Sequence, residues 1–267
     1  MLDVRCSLAP GKVASGPWPG ILALFIALLL ATAAVSVDAG PATNAVFRQR
    51  AQAAFQQAQA RYQTNTSDSI AAWQFARATY DLADLATNDA QRAAIAKQGI
   101  AACHGLLARD TNSAPGHYYL GMNYGQLATA EAPSPAAYRL VHQMEREFKT
   151  AEGLDRSFDY AGPARCLGLL YRDAPGWPFR IGNRRRARDW LEQAARVAPE
   201  YPENVLNLVE SYSRWRDRGA ARQELRALEA LWPKAQTNFT GVNWEQSWRD
   251  WTARKKAVEQ ALGRTSP

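Results

Sequence analysis

Three histidines, His104, His117 and His142, are the residues of this 267-residue chain best suited to hold a metal or move a proton. A metal site needs further His, Cys or carboxylate ligands converging on one ion. None of the three has an acid or cysteine four residues away with a third ligand close by. Acid pairs occur at Glu145 with Glu147 and at Asp155 with Asp159, but on charged helix faces they read as solvated carboxylates. The phosphate-cradling G-x-x-x-x-G-K, the nucleophile elbow G-x-S-x-G and H-E-x-x-H do not occur. The expectation is a protein with no catalytic or metal-ligating residues and no cofactor, acting by binding.

The stronger candidates lie in "LGLLYRDAPGWPFRIGNRRRARDWLEQA", residues 167–194. Arg184, Arg185, Arg186 and Arg188 sit at a predicted helix start, where each positive charge opposes the helix dipole by about 0.3–1 kcal/mol. Four guanidiniums beside free backbone N–H groups suit a carboxylate, a phosphate or an acidic partner surface. The plainer alternative is a solvated turn whose arginines pair with Asp189 or Glu192. Trp177 and Phe179 lie around Pro178, with Pro175 close before them, so their directions are restricted. They either cap the apolar edge of a helix pair or anchor a partner, since aromatics and arginine are common interface anchors.

The elements that must position these residues read as helices from residue 42 onward. "NAVFRQRAQAAFQQAQARY" places Ala51, Ala54, Phe55, Ala58 and Tyr62 at steps of three and four, and Ile70, Trp73, Ala76, Tyr80 and Ala83 repeat the rhythm. Asn88 followed by Gln91 predicts a capping box opening a helix to about Arg109. Strand-like alternation is absent, and an all-α protein follows.

The N-terminus bears on compartment. Arg5 and Lys12 precede "ILALFIALLL", residues 21–30, and small residues with Val37 and Ala39 follow. Residues 1–39 therefore read as a secretory signal, with an uncleaved N-terminal membrane anchor as the alternative. Either way the body is expected to be exported, periplasmic or in the cell envelope, which makes nucleic acid an unexpected partner. The charge of +7 permits an acidic partner or an anionic membrane surface without defining a function.

Residues 40–242 carry an internal period. Ala187 matches Ala221, Leu191 matches Leu225, Ala194 matches Leu228 and Pro199 matches Pro233, each 34 residues apart. That is the period of the tetratricopeptide repeat, a helix pair. Small Ala187 and Ala221 allow close approach, while Pro199 and Pro233 are expected to stop the second helix of each pair. "YYLGMNYG" and "CLGLLY" each hold L-G-x2-Y, through Leu120, Gly121 and Tyr124 and through Leu167, Gly168 and Tyr171. "RDAPGWPFRIGNRR" then becomes the link inside one repeat. Cys103 and Cys166 fall in different pairs with two helices between, so they are expected as buried thiols.

Gly162, Arg165, Leu167, Gly168, Tyr171, Ala174, Pro175, Gly176, Trp177, Pro178, Gly182 and Ala187 together resemble the T component of TRAP transporters. In that exported tetratricopeptide-like family a G-x-x-R-x-L-G-x-x-Y helix precedes an A-P-G-W-P loop. The close match covers about fifty residues, and no cysteine stands directly after the apolar stretch to carry a lipid. The resemblance implies an accessory role beside a periplasmic solute-binding protein or permease, and it is consistent with a homo-oligomer.

Stacked repeats form a concave surface mainly from the first helix of each pair. The 34-residue frame projects Tyr118, Met122, Arg165, Leu169, Arg172, Leu206 and Glu210 onto it, a lining suited to an extended peptide or small amphipathic ligand. Together with Trp177, Phe179, Arg184 and Arg185 these are the candidate binding residues. Residues 243–267, with Trp244, Trp248, Trp251 and Val258 near one stripe, read as the capping helix that covers the last repeat. A membrane-surface helix is the alternative. The leading expectation is an adaptor for envelope solute uptake, and the alternative is a general envelope scaffold with no solute ligand.

Overall fold

The computed structural model of the protein describes residues 41–174 and 181–263. The signal or anchor expected at 1–39 lies outside the described residues, as do Trp177 and Phe179. Ten α-helices occur among the described residues: α1 (Pro41–Thr64), α2 (Ser69–Asp84), α3 (Asp89–Leu107), α4 (Ala114–Glu131), α5 (Pro135–Leu154), α6 (Phe158–Asp173), α7 (Arg184–Val197), α8 (Pro202–Arg214), α9 (Arg218–Asn238) and α10 (Glu245–Gly263). No strand is present among them, and no helix is long and apolar enough to cross a membrane.

Short polar side chains begin most of the helices. Asp68 accepts from the N–H groups of Ile70 and Ala71, and Ser113, Ser134, Asn183 and Asp217 each accept from the N–H three residues on. Asn88 accepts from Gln91 N–H, while the Gln91 side chain reaches back to Thr87 N–H at 2.9 Å. The expected capping box is thus made with its return bond one residue early.

Consecutive helices pack as the pairs α2/α3, α4/α5, α6/α7 and α8/α9, and the first helices also meet one another across the pairs. The L-G-x2-Y glycines sit where two helices come closest. A Cβ on Gly121 would lie 2.6 Å from Phe148 Cε1, and one on Gly168 would lie 2.6 Å from Leu191 Cγ. Each glycine therefore admits a large side chain of the second helix into the first. A first helix is enclosed by its own partner, the preceding second helix and the next first helix. This is why α2 buries Ala71, Ala72, Phe75, Ala78 and Leu82 beyond the single stripe that periodicity predicts, whereas Ile70 is exposed.

The array has two closures. At the C-terminus a 3₁₀ turn (Val242–Trp244) leads into α10, which packs on α8 as a first helix would and buries Trp244 and Trp251. These tryptophans face the last pair, as a cap requires and a membrane-surface helix does not. At the N-terminus α1 stacks Tyr62 on Phe75 and also meets α10: Arg50 pairs with Glu245 at 2.6 Å, and the Arg249 guanidinium lies 4.8 Å from the Phe47 ring.

Pro233 departs from its expected role. Pro199 follows the end of α7, but Pro233 lies inside α9, which continues to Asn238. Continuation buries Ala235 and places Phe239 against Tyr201 and Trp244, and that burial outweighs one missing backbone bond. Cys103 and Cys166 are both free and buried.

Candidate partner-binding face

The residues projected onto an open concave surface are mostly interior. Tyr118 and Arg165 are fully buried, Met122 and Leu169 nearly so, Leu206 is buried, and only Arg172 and Glu210 are half-exposed. The 34-residue frame places them correctly on the first helices. However, successive first helices press together there, so these side chains fill the seams instead of lining free space. Met122 meets Cys166 across one such seam, with their sulfurs 3.6 Å apart.

Arg165 occupies the centre of the seam. Its Nη1 donates to Tyr160 O at 3.0 Å and Asn204 Oδ1 at 3.1 Å, its Nη2 to Asp159 Oδ2 at 3.0 Å and Asp159 O at 3.3 Å, and Tyr201 lies beneath the guanidinium at 5.0 Å. These bonds hold an unusual start to α6. Asp159, Tyr160 and Ala161 all have left-handed backbone, with φ of 52°, 54° and 61°, a conformation disfavoured for residues with a Cβ. Burial pushes the Asp159 carboxyl above its ordinary value, against the pull of Arg165 and the Tyr118 hydroxyl, which donates to it at 2.8 Å. Gly162 makes this junction possible, since a Cβ there would lie 2.7 Å from the Tyr118 hydroxyl.

A second polar cluster joins α8 to the cap. Arg254 donates to both Glu210 carboxylate oxygens at 2.7 Å and to Asn207 Oδ1 at 2.6 Å, and it approaches Glu203 at 3.4 Å. Burial works against its charge, but Glu210, Glu203 and Asp250 hold it firmly protonated. Arg172 is spanned between Asp173, at 2.8 Å, and the α8 residues Ser211 and Glu210. Both clusters are structural joints between helices.

The exposed candidates lie along one edge of the array, where α6 finishes, α7 begins and α8 turns into α9. Asn183 N–H donates to Tyr171 O at 2.8 Å, which draws the start of α7 onto the end of α6. Arg184 and Arg185 are exposed. Arg184 lies 5.2 Å from the Trp215 ring, Arg186 lies 5.6 Å from Tyr171, and Arg188 lies 5.4 Å from Tyr212 while pairing with Asp217 at 3.8 Å. The run therefore leans on rings and on Asp217, not on Asp189 or Glu192 of its own helix; Glu192 accepts from Tyr212 and pairs with Arg196. Sequence reasoning passed over Trp215, Arg214, Arg216 and Arg218 of "RWRDR", which join the same surface from the α8–α9 turn. Three arginines and a tryptophan within five residues were the available signal.

The histidines take separate places. His117 Nδ1 is 2.6 Å from Glu147, His104 meets Tyr124, and His142 meets Tyr138. Among the described residues no group of three or more His, Cys, Asp or Glu is placed to hold a metal ion. What the fold and these residues define is an all-α helical-repeat protein with a basic, aromatic-bearing edge. No protein-family model matches the chain, and no curated protein matches it.

Proposed function

We propose that this chain is an exported adaptor that works by binding protein, as an accessory subunit of envelope solute transport resembling the T component of TRAP transporters. The observation that carries the reading is the α6/α7 pair. It holds the residues of that resemblance, Gly162, Arg165, Gly168 and Tyr171, as a tightly packed support, and it offers Arg184 and Arg185 exposed beside the connecting loop. Such a division between a packed scaffold and exposed arginines at a helix start suits recognition. The partner in this reading is a periplasmic solute-binding protein or permease.

The test is affinity capture of the tagged protein from a native envelope extract, beside a Trp177→Ala/Arg185→Ala variant, with partners identified by mass spectrometry. Recovery of a solute-binding protein or permease that the variant loses is the expected result. Unrelated envelope proteins recovered equally by both would overturn the transport reading in favour of a general scaffold.

A further inference from the structure

The arginine-rich edge is built from two segments that are separated in sequence, 184–188 and 214–218. Arg184, Arg185 and Arg186 are exposed at the start of α7, Arg214 at the end of α8, and Arg216 and Arg218 in the turn into α9. Trp215 lies between the two groups, half-buried, with Arg184 at 5.2 Å and Arg188 at 6.0 Å from its ring. Arg214 is held by Asp173 at 2.6 Å and Arg188 by Asp217. Arg185, Arg216 and Arg218 have no side-chain partner among the described residues. α7 has no acid in its first turn and a neutral cap, Asn183, so its N-terminus adds positive potential to this edge, whereas the Asp217 carboxylate caps α9.

We propose that this edge is a docking surface for the acidic face of a partner protein, recognised through Asp and Glu carboxylates. The inference rests on the adaptor reading and names the chemistry of its partner. Arginine predominates over lysine along the whole chain, so the fixed geometry of these arginines, more than their choice, separates a protein from a lipid surface. A fluid anionic membrane takes lysine as readily as arginine, since it answers to charge near the surface. Fixed carboxylates reward the planar fork of arginine, which grips two oxygens at once. Three of the guanidiniums are also pre-positioned over Trp215, Tyr171 and Tyr212. That rigidity lowers the ordering cost of meeting a partner of fixed shape, and Trp, Tyr and Arg are the residue types that dominate protein interfaces.

The test uses the full chain in non-ionic detergent with labelled poly-L-glutamate as the carboxylate probe and dihexanoyl-phosphatidylglycerol as the lipid probe. Three variants are compared: Arg185→Glu/Arg216→Glu/Arg218→Glu, the corresponding triple Arg→Lys, and a control, Arg139→Glu/Arg146→Glu/Arg226→Glu, with the same charge change elsewhere. Poly-L-glutamate is expected to bind the parent and the control alike, to lose binding to the Glu triple, and to bind the Lys triple about tenfold more weakly, equivalent to ~1.4 kcal/mol. Circular dichroism checks that each variant is folded. Equal binding to the Lys triple and the parent would reduce the surface to a net-charge field and overturn the proposal. So would absence of poly-L-glutamate binding, or binding of the lipid probe alone. A negative result here leaves envelope capture intact, so failure of this surface is distinguishable from failure of the adaptor role.

Discussion

Replacing Arg165 by Met keeps most of the side-chain volume and removes the charge at the centre of the array. Four hydrogen bonds are lost, to Tyr160 O, Asn204 Oδ1, Asp159 Oδ2 and the Asp159 backbone O, and buried Asp159 loses its paired counter-charge, keeping only the secondary pull of Arg77. Removing one partner of a buried ion pair costs about 3–5 kcal/mol. The left-handed turn sets a limit in the other direction. Each of its three residues costs roughly 1–2 kcal/mol in that conformation, so its relaxation recovers part of the loss. The expected net destabilisation is about 3 kcal/mol, or a fall in Tm of roughly 6–12 °C at about 2–4 °C per kcal/mol for a domain of this size. Urea and thermal unfolding followed by circular dichroism measure it. Adding Asp159→Asn to the variant should recover at least ~1 kcal/mol, because the orphaned carboxylate is then removed. A single variant within about 1 kcal/mol of the parent would refute the assignment of Arg165 as the joint holding α6 to α8.

Four further outcomes follow from the packing. Gly168→Ala should destabilise by roughly 1–2 kcal/mol against Leu191 despite the better helix propensity of alanine, while Gly153→Ala, with nothing within 4 Å of its Cβ, should gain about 0.5–1 kcal/mol; urea midpoints of the two variants should move in opposite directions. Burial raises the Glu145 carboxyl, but bonds from Lys149 at 2.7 Å and Tyr171 at 2.5 Å outweigh it and hold the group below its ordinary 4.5. Its folded value thus lies under its unfolded one, so its stabilisation is complete above about pH 4.5 and fades as pH falls below it; identical acid limbs for the parent and Glu145→Gln would contradict this. Deleting residues 243–267 should expose the α8/α9 face that Trp244 and Trp251 cover and cause aggregation in light scattering; a monodisperse folded product would argue against a cap. Ellman's reagent should find Cys103 and Cys166 unreactive in the folded protein and both reactive after denaturation without reductant, whereas finding neither would mean a disulfide.

The helix content and the pairing of helices were legible because they rest on local rules. Asn88 marks a helix start by satisfying a backbone donor three residues on, and Gly121 and Gly168, in the repeated L-G-x2-Y, lack the Cβ that would block close approach. Both signals are written at a fixed short spacing. The binding residues were less legible. The repeat frame assigned Tyr118, Met122, Arg165 and Leu169 to the first helices, but it carries no information on how far neighbouring helices close up. Pro233 was misread for a related reason: its helix continues because Phe239 finds Tyr201 and Trp244, residues that no local rule connects to it.

By itself the sequence determined an all-α chain of paired helices with a tryptophan-bearing cap, since periodicity, capping chemistry and small-residue spacing act over one or two turns. Only the tertiary structure decided which side chains became joints and which stayed at the surface. It brought Glu147 to His117 and Glu245 to Arg50, buried Arg165 beneath a left-handed turn, and set Arg184 and Arg188 beside Trp215. Charge and burial are properties of neighbours, and those neighbours are 30 or 195 residues apart at the first two contacts. Their meeting depends on how every intervening helix packs, which no short stretch of sequence encodes.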